Sequence, residues 1–221
     1  MPRIVDRDLD ALRELVLRMG SLAEAILAKS LDALWRRDAD LAESVHQDDL
    51  EIDQLDVDID EAVIKVLALR APVAQDLREV VAIKTMATDL ERVGDLARNI
   101  AKSAIRLAER TPVPTPPKLE TLAEESRRLL RRALDAFADN DASAARKVVD
   151  DDEAVDREED RVIREALEEI VQRPEYSAQV LDLILVAKNL ERVADHATNI
   201  AEDVVLAAEA ENLKHASKLS S

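Results

Sequence analysis

Residues 88–101 read TDLERVGDLARNIA, and residues 188–201, one hundred positions further along the chain, read KNLERVADHATNIA. Nine of the fourteen positions are identical, which is far beyond chance. Each copy carries a Glu and an Asp four residues apart, and these acids are Glu91 and Asp95, then Glu191 and Asp195. The chain therefore contains an internal duplication built around paired carboxylates.

The composition favours helices over sheets. The 221 residues include two glycines and three aromatic residues, and they are rich in Ala, Leu, Glu, Asp and Arg. This composition leaves little material for turns or strands and is typical of long helices. We expect an all-α protein, and the duplication predicts two similar units of about 100 residues each.

Charge and missing residue types argue against several classes of function. A net charge of -17 disfavours nucleic-acid binding, which needs clustered Lys and Arg, and makes cations or basic protein surfaces the expected partners. The chain has no cysteine, no apolar run of about 18 residues and a charged start, so we expect a cytoplasmic protein without a membrane span or signal peptide. Phosphate-loop, nucleophile-elbow and dinucleotide-binding motifs are absent, and we therefore expect no enzymatic activity.

A proline-rich stretch divides the chain almost in half. The sequence TPVPTPP cannot continue a helix and favours an extended connection. Weaker breaks near 36–40 and 71–72, with counterparts near 139–141 and 173–174, predict three helices in each half. The predicted organisation is a first bundle at 1–110, a linker at 111–117, a second bundle at 118–210 and a C-terminal tail at 211–221.

Apolar residues spaced by threes and fours form three stripes in the first half, as expected for amphipathic helices. We expect six long helices arranged as two tandem, pseudo-symmetric three-helix bundles. On the second helix Asp48 falls in the core stripe, which places Asp49 and Asp53 at its flank. The stripes begin with Leu12, Val16, Met19, Ala23 and Ile26, continue with Leu41, Val45, Ile52, Leu55, Ile59, Ala62, Val66 and Leu69, and end with Ile83, Ala87, Leu90, Gly94, Ala97, Ala101 and Ala104.

The second helix of each half carries a further acidic pair. Asp49 and Asp53 correspond to Asp152 and Asp156 at a shift of 103 positions. Residues four apart on a helix are neighbours, so each pair projects together beside the core. Antiparallel packing of the second and third helices would then bring four carboxylates into one shallow groove per bundle.

Four clustered carboxylates predict a metal site. Like charges 4 Å apart repel by ~4 kcal/mol at an effective dielectric near 20, and a cation turns that repulsion into binding. Oxygen ligands suit Mg²⁺, Mn²⁺, Ca²⁺ or iron, whereas Zn²⁺ is less directly indicated. The alternative is a solvated acidic surface on which Arg92 and Arg192 form weak ion pairs. His196, which follows Asp195, is either an additional ligand of one bundle or a packing residue, because Leu96 takes its place in the first copy.

At these motifs the sequence resembles the PhoU family of phosphate-signalling regulators. The similarity runs from about Asp8 to Val205, and it includes the start of the third helix. The segments that carry it are PVAQDLR at 72–78, DLERVGD at 89–95 and NLERVADHATNIAE at 189–202.

This resemblance implies two bundles whose surfaces hold multinuclear metal clusters, of iron, zinc, manganese or magnesium. It also implies a negative regulator of the phosphate-starvation response, which couples the ATPase subunit of a phosphate ABC transporter to a membrane sensor histidine kinase and restrains phosphate uptake. We expect a homodimer that meets the inner membrane only through these partners. The implied ligands are Asp49, Asp53, Glu91 and Asp95 in the first bundle, and Asp152, Asp156, Glu191 and Asp195 in the second.

Two other functions use the same carboxylates. A metal-handling or di-iron redox protein would hold bridging carboxylates, although such proteins usually bury their ligands in the bundle core. A purely structural scaffold would leave the acids without a role in metal binding or signalling.

Overall fold

The computed structural model describes residues 3–213, and within this range it contains six long helices and no strand. This architecture confirms the all-α prediction. A short 3-10 turn, Pro174–Tyr176, lies between the last two helices. Of the predicted tail, residues 214–221 lie outside the described residues. The helices are α1 (Ile4–Arg36), α2 (Ala39–Arg70), α3 (Gln75–Ala108), α4 (Pro117–Ala138), α5 (Ala142–Gln172) and α6 (Ser177–Glu209).

The second helix of each bundle starts in the same way. Asp38 caps α2 by accepting a hydrogen bond from the Leu41 amide at 2.9 Å, and Asp141 caps α5 by accepting one from the Ala144 amide at 2.9 Å. The residue before each aspartate has a left-handed backbone, with φ of 53° and 51°. An aspartate in this position satisfies amides that the first helical turn leaves free. The capping chemistry is therefore duplicated along with the helices.

Most of the predicted core stripes are buried, but α2 is rotated relative to the prediction. All the stripe residues expected on α1 and α3 are buried. On α2 the buried acid is Asp49, with 1% of its surface exposed, whereas Asp48 is partly exposed and pairs with Lys29 at 2.7 Å. The prediction that Asp49 flanks the core was wrong, because α3 leaves room for a side chain at this point. Leu69, at the end of α2, is 63% exposed and lies outside the core.

One apolar cluster spans both bundles. Helix α3 packs against α6, and α1 packs against α4. Polar contacts across the α3–α6 interface include that of Asp89 with His196, at 2.7 Å, and that of Arg106 with Asp182, at 2.6 Å. Residue numbers rise along α3 while their partners' numbers fall along α6, so the two helices are antiparallel. No helix in the described part of the chain has the length and apolar character that a membrane crossing requires.

Candidate metal centres

Helices α2 and α3 bring the four predicted acids of the first bundle together. This first acidic cluster comprises Asp49, Asp53, Glu91 and Asp95. Burial raises the pKa of Glu91, and the nearby charge of Asp95 raises it further, with smaller effects from Asp56 and Asp53. The mutual influence of these groups indicates that their carboxylates share one local environment.

A glycine on α3 creates the space that Asp49 occupies. A β-carbon added to Gly94 would lie 2.8 Å from Asp49 Oδ1 and 3.0 Å from the Cδ1 atom of Ile52. The absence of a side chain thus allows α2 to approach α3 closely and to bury Asp49 against its backbone. Burial raises the pKa of Asp49 because it disfavours the charged form, while the positive charge of Arg98 opposes this effect.

Arginine side chains compensate much of the charge in the first acidic cluster. The guanidinium of Arg98 bridges the two helices by donating hydrogen bonds to Asp49 on α2 and to Asp95 on α3. The guanidinium of Arg92 lies 3.3 Å from the second oxygen of Asp95 and 3.4 Å from a carboxylate oxygen of Glu91. Three of the four predicted ligands in this bundle therefore contact a positive charge from the protein itself.

The acids of the second bundle converge more closely. This second acidic cluster comprises Asp152, Asp156, Glu191 and Asp195. One carboxylate oxygen from each of Asp156, Glu191 and Asp195 lies within 4.8 Å of the others, and within residues 3–213 no other group of three potential ligands meets this criterion. Asp156 and Asp195 are exposed and Glu191 is half-buried, so the cluster opens onto the surface.

In the second acidic cluster, neighbouring carboxylates raise one another's pKa. Burial raises the pKa of Asp152 to about 6, the charges of Asp195 and Asp156 add to the increase, and the neighbouring Thr198 hydroxyl opposes it. Desolvation of the carboxylate and the charge of Asp195 raise the pKa of Glu191, while the charge of Lys188 opposes this increase. Desolvation of the carboxylate and the charge of Asp156 raise the pKa of Asp195, while His196, Arg192 and Lys188 oppose it. Each acid thus disfavours ionisation of its neighbours, which is the condition that a bound cation would relieve.

The donor set of the second acidic cluster fits a hard metal ion. Two oxygens on opposite sides of an ion with bonds of about 2.3 Å are about 4.6 Å apart. The three carboxylate oxygens lie within 4.8 Å of one another, so a single ion can reach all of them. Carboxylate oxygens are the ligands that Mg²⁺, Ca²⁺ and Mn²⁺ prefer. The fit is therefore better for these ions than for Zn²⁺, which favours nitrogen and sulfur.

His196 and Asn199 make their hydrogen bonds across the bundle interface rather than within the acidic cluster. The Nδ1 atom of His196 lies 2.7 Å from Asp89, and the Asn199 amide donates to the same carboxylate at 3.1 Å. Asp89 itself is only 8% exposed. These contacts account for both polar side chains as a link between α6 and α3.

The sequence interpretation overlooked Arg98 and its counterpart Thr198, and it placed Gly94 in the core stripe without comparing it with Ala194. The signal was visible in the repeat, because these are two of the five positions at which the two copies differ. The interpretation considered only the acids that are identical in the two copies. The neighbouring residues that differ determine how much positive charge compensates these acids.

Comparison with known proteins identifies the family. The family model described as "PhoU domain" matches this chain twice, at residues 16–104 and 119–204. The two matches coincide with the two bundles. This chain belongs to the PhoU family.

Curated PhoU relatives match over most of their length. A protein of Pseudomonas putida named phosphate-specific transport system accessory protein PhoU homolog is 36% identical over 94% of this chain and 82% of its own length. Proteins of the same name from Xylella fastidiosa (strain 9a5c) and Caulobacter vibrioides (strain NA1000 / CB15N) are 38% and 39% identical, over 90% and 85% of this chain and over 84% and 82% of their own lengths. The similarity to these relatives therefore extends over both bundles of the chain.

Solved PhoU structures have the same fold. PhoU from Pseudomonas aeruginosa superposes with a TM-score of 0.90 at 35% identity, over 93% of this chain and 99% of the other. The phosphate transport system regulatory protein PhoU from Streptococcus pneumoniae superposes with a TM-score of 0.87 at 29% identity, over 95% and 99% of the two chains. These matches confirm the six-helix architecture expected from the resemblance.

Proposed function

We propose that this PhoU protein is a noncatalytic negative regulator of phosphate uptake. It would couple the ATPase subunit of a phosphate ABC transporter to a sensor histidine kinase and hold the phosphate-starvation response down when phosphate is plentiful. The observation that carries this proposal is the family match over both bundles, with relatives named as accessory and regulatory proteins. The protein would act in the cytoplasm as a homodimer and reach the inner membrane through these partners.

The form of the second acidic cluster supports a binding role over a catalytic one. Asp156 and Asp195 are exposed to solvent on a helical surface. General acid–base catalysis relies on an enclosed, partly dry pocket, and di-iron redox bundles bury their ligands in the core. An open acidic surface is better suited to contact with a cation and, through it, with another protein.

A metal ion would give this surface its regulatory character. Asp156, Glu191 and Asp195 would hold it, with Asp152 beside them. When bound, the ion supplies positive charge and free coordination positions that an anionic group of a partner or phosphate itself can take. The chain's own acids would orient the ion and fix α5 relative to α6.

The regulatory proposal is tested by deletion and complementation. Removing the gene from its host should raise alkaline phosphatase reporter expression in phosphate-rich medium, and the wild-type gene should restore the low level. Reporter expression that stays low after deletion would contradict the regulatory proposal.

The role of metal is tested in the same strain. The double variant Glu191→Gln/Asp195→Asn should fail to restore repression because it removes two carboxylates from the second acidic cluster. The variant Glu120→Gln/Glu124→Gln is the matched control, since it removes two exposed acids at the same spacing on α4 and should complement fully. Full complementation by both variants would mean that regulation does not require these metal ligands. In a separate assay, oxygen consumption by iron-loaded protein would favour the redox alternative.

A further inference from the structure

We propose that Arg98 is a built-in cation that takes the place of a metal ion in the first acidic cluster, so that the protein binds metal in its second bundle only. The inference rests on the proposed metal-binding role of the carboxylates and revises the expectation of two equivalent sites. It depends on side chains in which the two copies of the repeat differ.

Arg98 occupies the position that a bridging ion would need. Its guanidinium contacts Asp49 on α2 and Asp95 on α3 at the same time, and thus links the two helices as a shared cation would. The Arg98 side chain is 27% exposed and that of Asp49 is 1% exposed, so the contact is largely shielded from water. Ion pairs in such surroundings are screened much less than those at the surface.

The two oxygens of Asp49 are already enclosed by protein. Oδ2 accepts a hydrogen bond from Arg98, and Oδ1 faces Gly94, where even a methyl group would lie 2.8 Å away. Asp95 is enclosed in a similar way, because Oδ1 contacts Arg98 and Oδ2 contacts Arg92 at 3.3 Å. A metal ion would have to displace a guanidinium from both carboxylates before it could bind there.

The second bundle has neither feature. Thr198 stands at the position of Arg98 and carries no charge, and Ala194 stands at the position of Gly94 and carries the β-carbon that Gly94 lacks. Asp152 is accordingly only half-buried, and its neighbours Asp156, Glu191 and Asp195 bring their oxygens within 4.8 Å of one another. Arg192 and Lys188 act on Asp195 from nearby, but the position of the bridging Arg98 holds an uncharged threonine.

Exchange of the two residues tests the inference. Purified wild type, Arg98→Thr, Thr198→Arg and the double exchange are loaded with Mn²⁺ and gel-filtered, and bound Mn²⁺ is counted by elemental analysis and by electron paramagnetic resonance. We expect metal in the wild type, its loss in Thr198→Arg, about twice as much in Arg98→Thr and a wild-type amount in the double exchange. Arg98→Lys is the charge-preserving control and should bind no more than the wild type.

A second set of variants locates the metal without replacing Arg98. In otherwise wild-type protein, Asp156→Asn/Glu191→Gln/Asp195→Asn should abolish Mn²⁺ binding, whereas Asp53→Asn/Glu91→Gln/Asp95→Asn should retain it. This set decides the question even if Arg98→Thr fails to fold. Wild-type Mn²⁺ that falls by half in each triple variant would overturn the inference and leave the proposed metal-binding role intact. Absence of bound Mn²⁺ from the wild type and from a folded Arg98→Thr would overturn both.

Discussion

In the first bundle a guanidinium lies between Asp49 and Asp95, whereas in the second bundle the corresponding position holds the hydroxyl group of Thr198. The acids themselves are repeated: Glu91 and Asp95 reappear as Glu191 and Asp195. The balance of charge around them is not repeated, since a guanidinium bridges two acids of the first cluster and an uncharged threonine stands at its position in the second. Duplicated ligands thus do not by themselves define duplicated sites, because the neighbouring residues determine whether the ligands are free to bind.

The largest difference between the bundles should appear when Arg98 is removed. Arg98→Ala leaves Asp49 buried without its partner, and loss of one member of a buried ion pair is strongly destabilising. We expect a loss of about 3 kcal/mol in the free energy of unfolding at neutral pH, at the lower end of the usual range because the arginine is partly exposed. Urea unfolding followed by circular dichroism measures this loss.

The corresponding change in the second bundle is the control for this prediction. Thr198→Ala removes only an uncharged hydroxyl, and we expect a loss below about 1 kcal/mol. Asp49→Asn should recover part of the stability of Arg98→Ala, because it removes the unpaired charge. Equal losses from Arg98→Ala and Thr198→Ala would mean that Arg98 does not compensate the first acidic cluster.

Metal should stabilise the protein through one bundle. An ion that binds only the folded chain adds about 2.7 kcal/mol when its concentration is 100 times its dissociation constant. We expect Mn²⁺ to raise the thermal unfolding midpoint of the wild type and of Glu91→Gln/Asp95→Asn. Mn²⁺ should leave the thermal unfolding midpoint of Glu191→Gln/Asp195→Asn unchanged. If both double variants lost the Mn²⁺-induced increase to the same extent, the two bundles would not differ in metal binding.

Substitution of Gly94, where α2 and α3 are in close contact, should reduce stability less than substitution of Arg98. Gly94→Ala introduces a methyl group 2.8 Å from Asp49 and 3.0 Å from Ile52, and we expect a net loss of about 1 to 2 kcal/mol after the gain in helix propensity. Ala194→Gly should lose about 1 kcal/mol from helix propensity alone.

A double-mutant cycle tests whether Gly94 and Arg98 act together on Asp49. The effect of Gly94→Ala should depend on Arg98, because both residues hold Asp49 in place, and the coupling energy should exceed about 0.5 kcal/mol. The cycle of Ala194→Gly with Thr198→Ala should be additive. Additivity in both cycles would show that Gly94 and Arg98 act independently.

The smallest expected effect concerns pH. The pKa of Asp152 is raised to about 6, so the folded chain retains a proton that the unfolded chain releases near pH 4. The free energy of unfolding contributed by this group therefore falls as the pH rises from about 4 to about 6, and the loss persists at higher pH. Asp152→Asn removes this penalty and should stabilise the metal-free protein by about 1 kcal/mol at pH 7, but not below about pH 4.

The neighbouring residue provides a matched control for Asp152. Asp150 is exposed on the same helix, and Asp150→Asn should change stability little at either pH. A stabilisation of Asp152→Asn that is the same at pH 4 and pH 7 would show that charge repulsion is not its cause.

The sequence alone predicted the helices and most of the core. The prolines of the linker, the capping aspartates and the stripes on α1 and α3 depend on local spacing, which is visible along the chain. The orientation of α2 was not predictable from its own residues, because both Asp48 and Asp49 fit a stripe of threes and fours. Gly94 on another helix makes room for Asp49, and this contact is a property of packing.

The composition of the acidic clusters was predictable, but their difference was not recognised. Spacing along α5 and α6 predicted that Asp156, Glu191 and Asp195 lie near one another, as they do, since residues four apart share a helix face. The reach of Arg98 across to Asp49 depends on the distance between two helices, which the sequence does not contain. His196 is a similar case, because its partner Asp89 belongs to the other bundle.

The central claim is that one bundle binds metal and the other carries its own cation. Crystals grown with Mn²⁺ and measured for anomalous diffraction test it most directly. We expect an anomalous peak between Asp156, Glu191 and Asp195, and none between Asp49 and Asp95, where density for the Arg98 guanidinium should fill the space. Anomalous peaks of equal height in both clusters, with Arg98 turned away, would contradict it.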